Sequence, residues 1–496
     1  MNAYAHLEAR FKRMNLVRDA IAMLEWDAAA MMPDGGSDAR ADQLAALKLV
    51  VHEQATSPAL AEWLDAAGEG QGLDPWQRSN LREMRRSFAH ATALPADLVE
   101  AQSRAVSTCE MRWRTARKEN DFKGLLPDLQ RVLDLAREEA QIKAQKFGCS
   151  LYDALLDAYE PGGKSAAIDA IFADLAAFLP GFIDAALERQ ARKPAPIAFD
   201  GPFPAEAQKK LAAELMAAVG FDFEHGRLDT SHHPFCGGVP DDVRLTTRWD
   251  EADFAKGLMG VMHETGHAMY ERGLPLAWRH QPVGFARGMS VHESQSLLVE
   301  MQAARSDAFL AYLAPKAAAA FGKSGPAWTV ENFARVYRRV QRGLIRVDAD
   351  EATYPAHVIL RYRLERAMIE GRLALRDLPG AWNDGMRELV GTVPPDDRDG
   401  CLQDIHWPGG AWGYFPTYTL GAMTAAQLFD AAKRADADIV PSIGKGDFAP
   451  LMAWLRKNVH EQGSHLDAEA LLVKATGKPL DAGIFKAHLK ARYLDA

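Results

Sequence analysis

Hydrophobic and polar positions recur along most of this chain with the period of an amphipathic α-helix. The clearest runs extend from Ala5 to Lys48, from Trp76 to Ala105 and from Leu125 to Lys146. Breaks that contain proline or glycine separate such runs. A strand pattern is best developed in one segment, Gly226 to Arg248. The pattern therefore predicts a mainly α protein with a small β element.

The segment that follows the predicted strand indicates a further helix. Its apolar face, at helical spacing, consists of Phe254, Leu258, Val261 and Met262. Asp250 stands where an N-cap residue is expected, and Gly273, followed by Pro275, provides the stop. We therefore predict a helix that begins shortly after Asp250 and ends at Gly273.

This helix carries the pentapeptide His263-Glu264-Thr265-Gly266-His267. Residues four apart share one face of a helix, so both imidazoles can bind one metal ion. Glu264 directly follows the first histidine, where its carboxylate can take a proton from a metal-bound water. The alternative is a surface helix whose two histidines only face solvent.

A catalytic zinc site of this type needs a third protein ligand and a position that stays open. Glu293 is the candidate, because two histidines and a glutamate form a standard catalytic zinc set. Ser290 and Glu293 also have the spacing of a capping box, in which Glu293 would cap the first turn of a helix instead. His292 is a competing ligand, or supports one.

Several longer runs, taken in order, resemble the carboxypeptidase Taq family of zinc metallocarboxypeptidases. They are LEWDAAAMMPDGGSDARADQ from Leu24, YDALLDAYEPG from Tyr152, HHPFCGG from His232, DVRLTTR from Asp242, HETGHAMYERGLP from His263, GMSVHESQS from Gly288, IRVDADEATYPAHVILRY from Ile345 and GCLQDIHWPGGAWGYFPTYTLG from Gly400. The resemblance covers nearly the whole chain. It departs after HESQS, where the family usually has a basic residue and then a tryptophan, and this chain has Leu297 and Val299.

The resemblance implies both a metal site and an activity. It implies that His263, His267 and Glu293 hold the metal, and that Glu264 is the general base and proton shuttle. The expected metal is zinc, although cobalt or manganese can occupy a similar set of nitrogen and oxygen donors. The implied activity is the removal of single amino acids from the C-termini of peptides.

A second similarity concerns the segment from His406 to Tyr414. A histidine followed by a glycine-rich turn and then tyrosines is similar to the corresponding stretch of thimet-type oligopeptidases. This similarity implies that His406 and Tyr414 stabilise the transition state, with Tyr418 as a further candidate. The alternative is that this aromatic run is only a tightly packed turn that leads into a helix.

An exopeptidase must also bind the C-terminal carboxylate of its substrate, and the planar fork of an arginine suits that task. Arg346 is the candidate that the resemblance suggests, and Arg244 is the alternative. Both arginines could instead be structural and pair with Asp348, Asp350 or Asp242.

The resemblance further implies one catalytic domain over residues 1–496. Its two lobes, residues 1–195 and 196–496 approximately, would flank a deep groove. The family is dimeric as a rule, so a homodimer is expected. Two other functions stay open: an oligoendopeptidase with the same zinc machinery, and a non-catalytic metal-binding scaffold for peptides. The presence of Glu264 argues against the scaffold.

Composition adds expectations about partners and compartment. The net charge of −9, without a block of lysine or arginine, argues against nucleic acid. No apolar run approaches the roughly 18 residues that span a bilayer, so no membrane partner is expected. The N-terminus lacks the apolar core of a signal peptide, and no two of the four cysteines form a C-x-x-C pair. These features favour the cytoplasm.

Overall fold

The computed structural model describes residues 2–68, 70, 72–231 and 233–495. Within these ranges the chain forms twenty α-helices and three β-strands, with short 3₁₀ and π segments and irregular loops between them. The helices are α1 Ala3–Ala30, α2 Ser37–Ala55, α3 Pro58–Ala66, α4 Pro75–Ala91, α5 Ala96–Glu119, α6 Phe122–Phe147, α7 Leu151–Leu156, α8 Ser165–Ala191, α9 Ala205–Val219, α10 Phe254–Gly273, α11 Met289–Leu297, α12 Asp307–Ala320, α13 Val330–Tyr337, α14 Tyr354–Ile369, α15 Leu378–Leu389, α16 Pro416–Ala435, α17 Ile439–Ile443, α18 Ala449–Asn458, α19 Ala468–Thr476 and α20 Ala482–Lys490. The strands are β1 Gly226–Thr230, β2 Phe235–Val239 and β3 Asp242–Thr247.

The prediction of a mainly α protein is confirmed, and prolines account for two differences in the helix boundaries. The first long run divides into α1 and α2, because Pro33 adopts an extended conformation just after α1 ends. The second divides into α4 and α5, because Pro95 is the N-cap of a new helix. Proline lacks an amide proton and restricts the residue before it, so a continuous helix would lose a hydrogen bond at each point.

The predicted β segment forms a three-stranded sheet in the order β1-β3-β2. The central strand, β3, runs parallel to β1 and antiparallel to β2. Leu245 is fully buried at the centre of β3, where it faces Leu228 on one side and Cys236 on the other. Both β3 and β2 pack against α10, so the sheet lies beside the helix that carries the two histidines. His232, the first residue of the HHPFCGG run, lies outside the described residues.

Two large hydrophobic cores share one helix. The first core joins α5 to α8 with α14, α15 and α20, and the second joins α9 to α13 with α17 to α19. Helix α16 contributes Leu420 and Met423 to the first core and Leu428 and Phe429 to the second. The first core thus draws on both sides of residue 195, and the division into lobes at that point remains a prediction.

Helix α8 differs from the expectation about membrane-like segments. Within the described residues it is the one helix that is long and apolar enough to cross a membrane by length and composition, a test that core helices also pass. Its large side chains Ile168, Phe172, Leu175 and Leu179 are buried in the first core. The helix is so apolar because small alanines, rather than charged residues, occupy much of its remaining surface.

We expect Leu175→Ala to destabilise the protein by about 2–5 kcal/mol, because it leaves a cavity in the first core. Leu175 is fully buried, whereas Leu49 on α2 is 56% exposed. Leu49→Ala, the matched control, should change stability by no more than about 0.5 kcal/mol. Urea denaturation followed by circular dichroism measures both. Equal effects of the two variants would contradict the assignment of α8 to the core.

Candidate metal centre and active site

Helix α10 begins three residues later than the sequence predicts and ends where it predicts. Its N-cap is Asp253, whose side chain accepts hydrogen bonds from the amides of Ala255 and Lys256. Asp250 is therefore not the N-cap. Its carboxylate accepts a hydrogen bond from the amide of Ala252 in the preceding turn, at 2.8 Å. The last residue of α10 is Gly273.

The close approach of α10 and α11 depends on Gly266, the fourth residue of the pentapeptide. A Cβ atom at this position would lie 2.5 Å from the carbonyl oxygen of Gln295 and 2.6 Å from the Cα atom of Ser296. Neither distance is possible for a real side chain, so only glycine lets the backbones meet here. Gly421 likewise allows α16 to pack closely against α11, since a Cβ atom at this position would lie 2.9 Å from the Cβ of Glu293. Glu293 is thus held between three helices.

This packing brings His263, His267 and Glu293 together. The Oε2 atom of Glu293 lies 3.7 Å from Nε2 of His263 and 3.5 Å from Nε2 of His267. One donor atom from each residue lies within 4.8 Å of the others. Both nitrogen–oxygen distances exceed those of ordinary hydrogen bonds. They lie near the separation of about 3.3–3.6 Å expected between donors placed tetrahedrally at about 2.0–2.2 Å from one ion. The donor set and its spacing fit a divalent cation.

Glu293 does not cap its helix. The N-cap of α11 is Gly288, without a side-chain hydrogen bond, so Glu293 is the fifth residue of α11 rather than a first-turn residue. The amide of Ser290 instead donates to Oε2 of Glu160, at 3.1 Å. The capping-box alternative is therefore wrong, and the carboxylate of Glu293 is available to the histidines.

His292 lies beside the cluster and outside it. Its Nε2 atom is hydrogen-bonded to Oε1 of Glu271, at 2.8 Å. Its ring packs against the ring of His267, with 4.6 Å between the centroids. In the described part of the chain, the group of residues spaced to hold a metal contains His263, His267 and Glu293 without His292. His292 therefore supports the His267 ring.

Glu300 contributes to the site although no sequence motif marks it. Its Oε2 atom lies 3.0 Å from Nδ1 of His263, and its Oε1 atom accepts a hydrogen bond from Arg305 at 2.6 Å. A carboxylate on Nδ1 fixes the ring and leaves Nε2 for a metal. Glu300 follows Glu293 by seven residues, a spacing that puts two residues on one helical face, and this signal could have identified it.

The buried charges of the centre shift one another's pKa values. Burial disfavours the charged form of His263, but Glu293 and Glu300 outweigh it and raise its pKa to about 10. Burial and repulsion from His292 lower the pKa of His267 to about 4. Burial, reinforced by the neighbouring carboxylates, raises the pKa of Glu264 to about 7. Without a metal, one proton is therefore held on His263, at the point where the three donors converge.

His406, Tyr414 and Tyr418, the candidates that the sequence similarity suggests, form one aromatic group. Nε2 of His406 is hydrogen-bonded to the hydroxyl of Tyr418 at 3.1 Å, and the rings of Tyr414 and Tyr418 lie 5.1 Å apart. Burial lowers the pKa of His406 to about 4, so its ring is neutral near pH 7. Burial raises the pKa of each tyrosine, and the charge of Glu293 adds to that effect.

Arg346 is buried beside this aromatic group. Its guanidinium donates to Oδ1 of Asp404 at 2.9 and 3.0 Å and to the hydroxyl of Tyr354 at 3.1 Å. It also stacks on the ring of Tyr418, 4.9 Å from the centroid. Its acidic partner is thus Asp404, and neither Asp348 nor Asp350, the structural partners suggested by the sequence.

Arg244 lies on β3, and its partner is the one that the sequence suggests. It donates to both carboxylate oxygens of Asp242, at 2.6 and 2.9 Å. Its guanidinium also stacks on the buried ring of Trp26 in α1, 4.6 Å from the centroid. These contacts tie the first helix to the sheet and give Arg244 a structural task.

We expect Gly266→Ala to abolish high-affinity binding of a divalent cation, because the new methyl group forces α11, and with it Glu293, away from α10. Gly260→Ala on the same helix is the matched control, since its Cβ would meet nothing within 4 Å. It should bind the cation normally and gain up to about 1 kcal/mol of stability. Metal analysis after dialysis, with a thermal melt of each variant, measures both effects. A full metal content in Gly266→Ala would contradict this account of the packing.

Known proteins resemble this chain over nearly its whole length. The family model of the carboxypeptidase Taq (M32) metallopeptidases matches residues 6–493. Thermostable carboxypeptidase 1 of Thermus thermophilus is 39% identical over 485 residues, which cover 95% of this chain and 94% of that protein. Carboxypeptidase 1 of Bacillus subtilis is 31% identical, with 97% and 96% covered. The structure of Trypanosoma cruzi metallocarboxypeptidase 1 superposes with a TM-score of 0.97 at 41% identity, and 99% of each chain is covered.

The match extends from the first helix to the last turn, so it includes the helices that bring His263, His267 and Glu293 together. The family and the named relatives are carboxypeptidases, which are hydrolases that act on peptide bonds, and the metallopeptidase family implies a divalent metal. The chain belongs to the carboxypeptidase Taq (M32) family and is a metallocarboxypeptidase.

Proposed function

We propose that this metallocarboxypeptidase holds zinc with His263, His267 and Glu293 and releases single amino acids from peptide C-termini with broad specificity. The observation that carries the proposal is the convergence of two imidazole nitrogens and one carboxylate oxygen at 3.5 and 3.7 Å. Two histidines and a glutamate, with one position left open, are a catalytic zinc set. Cobalt and manganese are possible substitutes.

Glu264 is the proposed general base. A bound zinc ion supplies Lewis-acid activation of the scissile carbonyl and of the attacking water. Glu264 accepts the proton that the water loses and passes it to the nitrogen of the leaving amino acid. Its burial, with 8% of the residue exposed, raises its pKa to about 7. A base with such a pKa can both accept and return a proton near neutral pH.

His406 and Tyr414 are the proposed donors to the developing oxyanion. The phenol of Tyr414 stays protonated at neutral pH, because burial and nearby anionic groups raise its pKa. The hydrogen bond to Tyr418 fixes the ring of His406, whose neutral form has one nitrogen that can donate. Donors set in advance stabilise a charge that forms only in the transition state. Tyr418 itself lies between His406 and Arg346 and is proposed to contact the substrate.

Arg346 is the proposed partner of the substrate's terminal carboxylate. Asp404 and Tyr354 fix its guanidinium from two sides, so little side-chain freedom is lost when a carboxylate binds. Arg361 shares Asp404 with it, at 2.5 Å, which leaves the three groups with a net positive charge. Arg244 remains the alternative partner. Because it already forms an ion pair with Asp242, we favour Arg346 over it.

The proposal includes a compartment and an assembly. All four cysteines are unpaired, which agrees with a reducing compartment such as the cytoplasm. The homodimer remains an expectation from the family resemblance.

Glu264→Gln should reduce kcat by about 10²- to 10⁴-fold, because general-base catalysis is lost while the three metal ligands stay. Wild-type enzyme should release single residues in sequence from the C-terminus of an N-blocked peptide, as followed by mass spectrometry. Glu331→Gln, on the exposed side of α13, is the matched control and should keep full activity. Metal analysis accompanies each assay. Two internal fragments would indicate an endopeptidase, and undiminished hydrolysis by metal-loaded Glu264→Gln would refute the role of the base.

Arg346→Ala should remove the preference of the enzyme for a free C-terminal carboxylate. For the wild type, we expect kcat/KM to be at least about 30-fold lower for a C-terminally amidated peptide than for the free acid. The amide leaves the buried guanidinium of Arg346 without its anionic partner, which costs about 2 kcal/mol or more. The ratio of kcat/KM for the free-acid peptide to kcat/KM for the amidated peptide should approach one in Arg346→Ala and stay high in Arg244→Ala. The reverse result would assign the carboxylate to Arg244. Because each ratio is measured within one variant, a general loss of activity does not affect it.

A further inference from the structure

A cleft lies outside the metal centre. Its volume is about 410 Å³, and it lies among α4, the turn that follows α7 and the loop before α11. This volume is within the range of about 300–1,000 Å³ that is typical of small-molecule sites. Its charged lining includes Arg82, Arg287, Lys164, Glu83, Asp153 and Asp467. None of the residues proposed above for metal binding or catalysis lines it.

Two basic side chains of this cleft have hydrogen-bond donors without partners. Arg287 is only 4% exposed and uses Nη1 to bind Oε1 of Glu83 at 3.0 Å. Its Nε atom is buried, and it has no hydrogen-bond partner among the described residues. Lys164 lies at the exposed mouth of the cleft. In the part of the chain that the structure describes, its ammonium group forms neither a hydrogen bond nor an ion pair. A ligand in the cleft would reach Arg287 through Nη2, which forms no hydrogen bond within the described residues, because the buried Nε atom is closed to it.

Two carboxylates of the cleft have oxygen atoms that can accept further hydrogen bonds. Asp153 accepts the amide of Ser165 on Oδ1 at 2.8 Å, and Asp467 accepts the amide of Ala470 on Oδ1 at 2.7 Å. Each of these carboxylates has a second oxygen that can accept a further hydrogen bond. The lining contains four arginine or lysine residues and four aspartate or glutamate residues. Its formal charges therefore cancel, and a simple anion gains nothing from the net field.

We propose that this cleft binds a zwitterion of the size of a free amino acid. The carboxylate of the ligand pairs with Arg287 and Lys164, and its ammonium group binds the free oxygens of Asp153 or Asp467. Free amino acids are the products that the proposed function releases, so their role as the natural ligand rests on that function. The binding itself depends only on the cleft.

The turn from Asp157 to Lys164 connects this cleft to the metal centre. On one side Asp157 and Lys164 line the cleft. On the other side the carbonyl of Tyr159 accepts the amide of Met289 at 2.7 Å, and its ring lies 5.0 Å from that of Tyr414. A ligand that binds Lys164 therefore acts on the start of α11, which carries Glu293, and on Tyr414. Occupancy of the cleft is expected to change kcat.

Calorimetric titration of the metal-loaded enzyme with L-alanine tests the proposal. Propionate and ethylamine, which each carry one of the two charges of alanine, should bind at least about tenfold more weakly, since each loses a charge-assisted set of hydrogen bonds. Lys164→Glu should weaken alanine binding at least about tenfold. Lys445→Glu, an exposed lysine outside the cleft, is the matched control and should bind alanine as wild type does.

Three outcomes would overturn the proposal. They are propionate binding as tight as that of alanine, unchanged binding in Lys164→Glu, and a crystal soaked in L-alanine that shows the ligand only at the metal centre. Ligand density between Arg287 and Lys164 would support it. In kinetic assays at saturating peptide, alanine should alter kcat of wild type and not of Lys164→Glu, and an effect on KM alone would overturn the connection to the centre. The titration requires no turnover, so a failure of the proposed peptidase function would not obscure it.

Discussion

The contact between the backbones of α10 and α11 is the constraint on which the centre depends. Two histidines one turn apart define a face of α10, but they do not form a site until a third donor reaches them from another element. The missing side chain of Gly266 allows that approach, since its Cβ would lie 2.5 Å from a carbonyl oxygen of α11. Gly421 admits α16 to the opposite side of Glu293 in the same way. Helix α16 belongs to both large cores, so the position of this carboxylate is fixed by the packing of most of the molecule.

Positive charges lie beside the buried carboxylates of the centre, because burying an uncompensated charge costs free energy. Glu264, Glu293 and Glu300 are each less than 10% exposed and lie close enough to shift one another's pKa values. Such a group of carboxylates is unfavourable in a poorly solvated site unless cations accompany it. Arg305 offsets Glu300, and in the absence of metal the proton on His263 offsets Glu293. A divalent cation held by His263, His267 and Glu293 would replace that proton and would supply a second positive charge, so it would balance the buried carboxylates better.

The sequence predicted those features of the site that depend on local spacing. It predicted α10 with its end at Gly273, the two histidines on one face, and Glu293 as a candidate third ligand. It missed what depends on distant segments. Whether Glu293 caps α11 was decided by Glu160, which binds the amide of Ser290 from 130 residues away. The acidic partner of Arg346 is Asp404, 58 residues on, whereas the nearby Asp348 pairs with Lys256. Spacing along one element cannot reveal such pairs, because they arise when separate helices pack.

The two sides of the proposed active site also differ in how they are held. On the metal side, the backbone contact at Gly266 leaves little freedom to α10 and α11. On the substrate side, His406, Tyr414 and Arg346 come from turns and helix starts, and side-chain contacts such as those of Asp404 and Tyr418 hold them. Tyr414 also packs against Tyr159, which lies in the turn beside the cleft lined by Arg287 and Lys164. Close backbone packing thus holds the metal ligands, whereas side-chain contacts hold the groups that would contact the oxyanion. A ligand on that turn would therefore act on transition-state stabilisation through Tyr414 and on the start of α11 through the hydrogen bond from the amide of Met289 to the carbonyl of Tyr159.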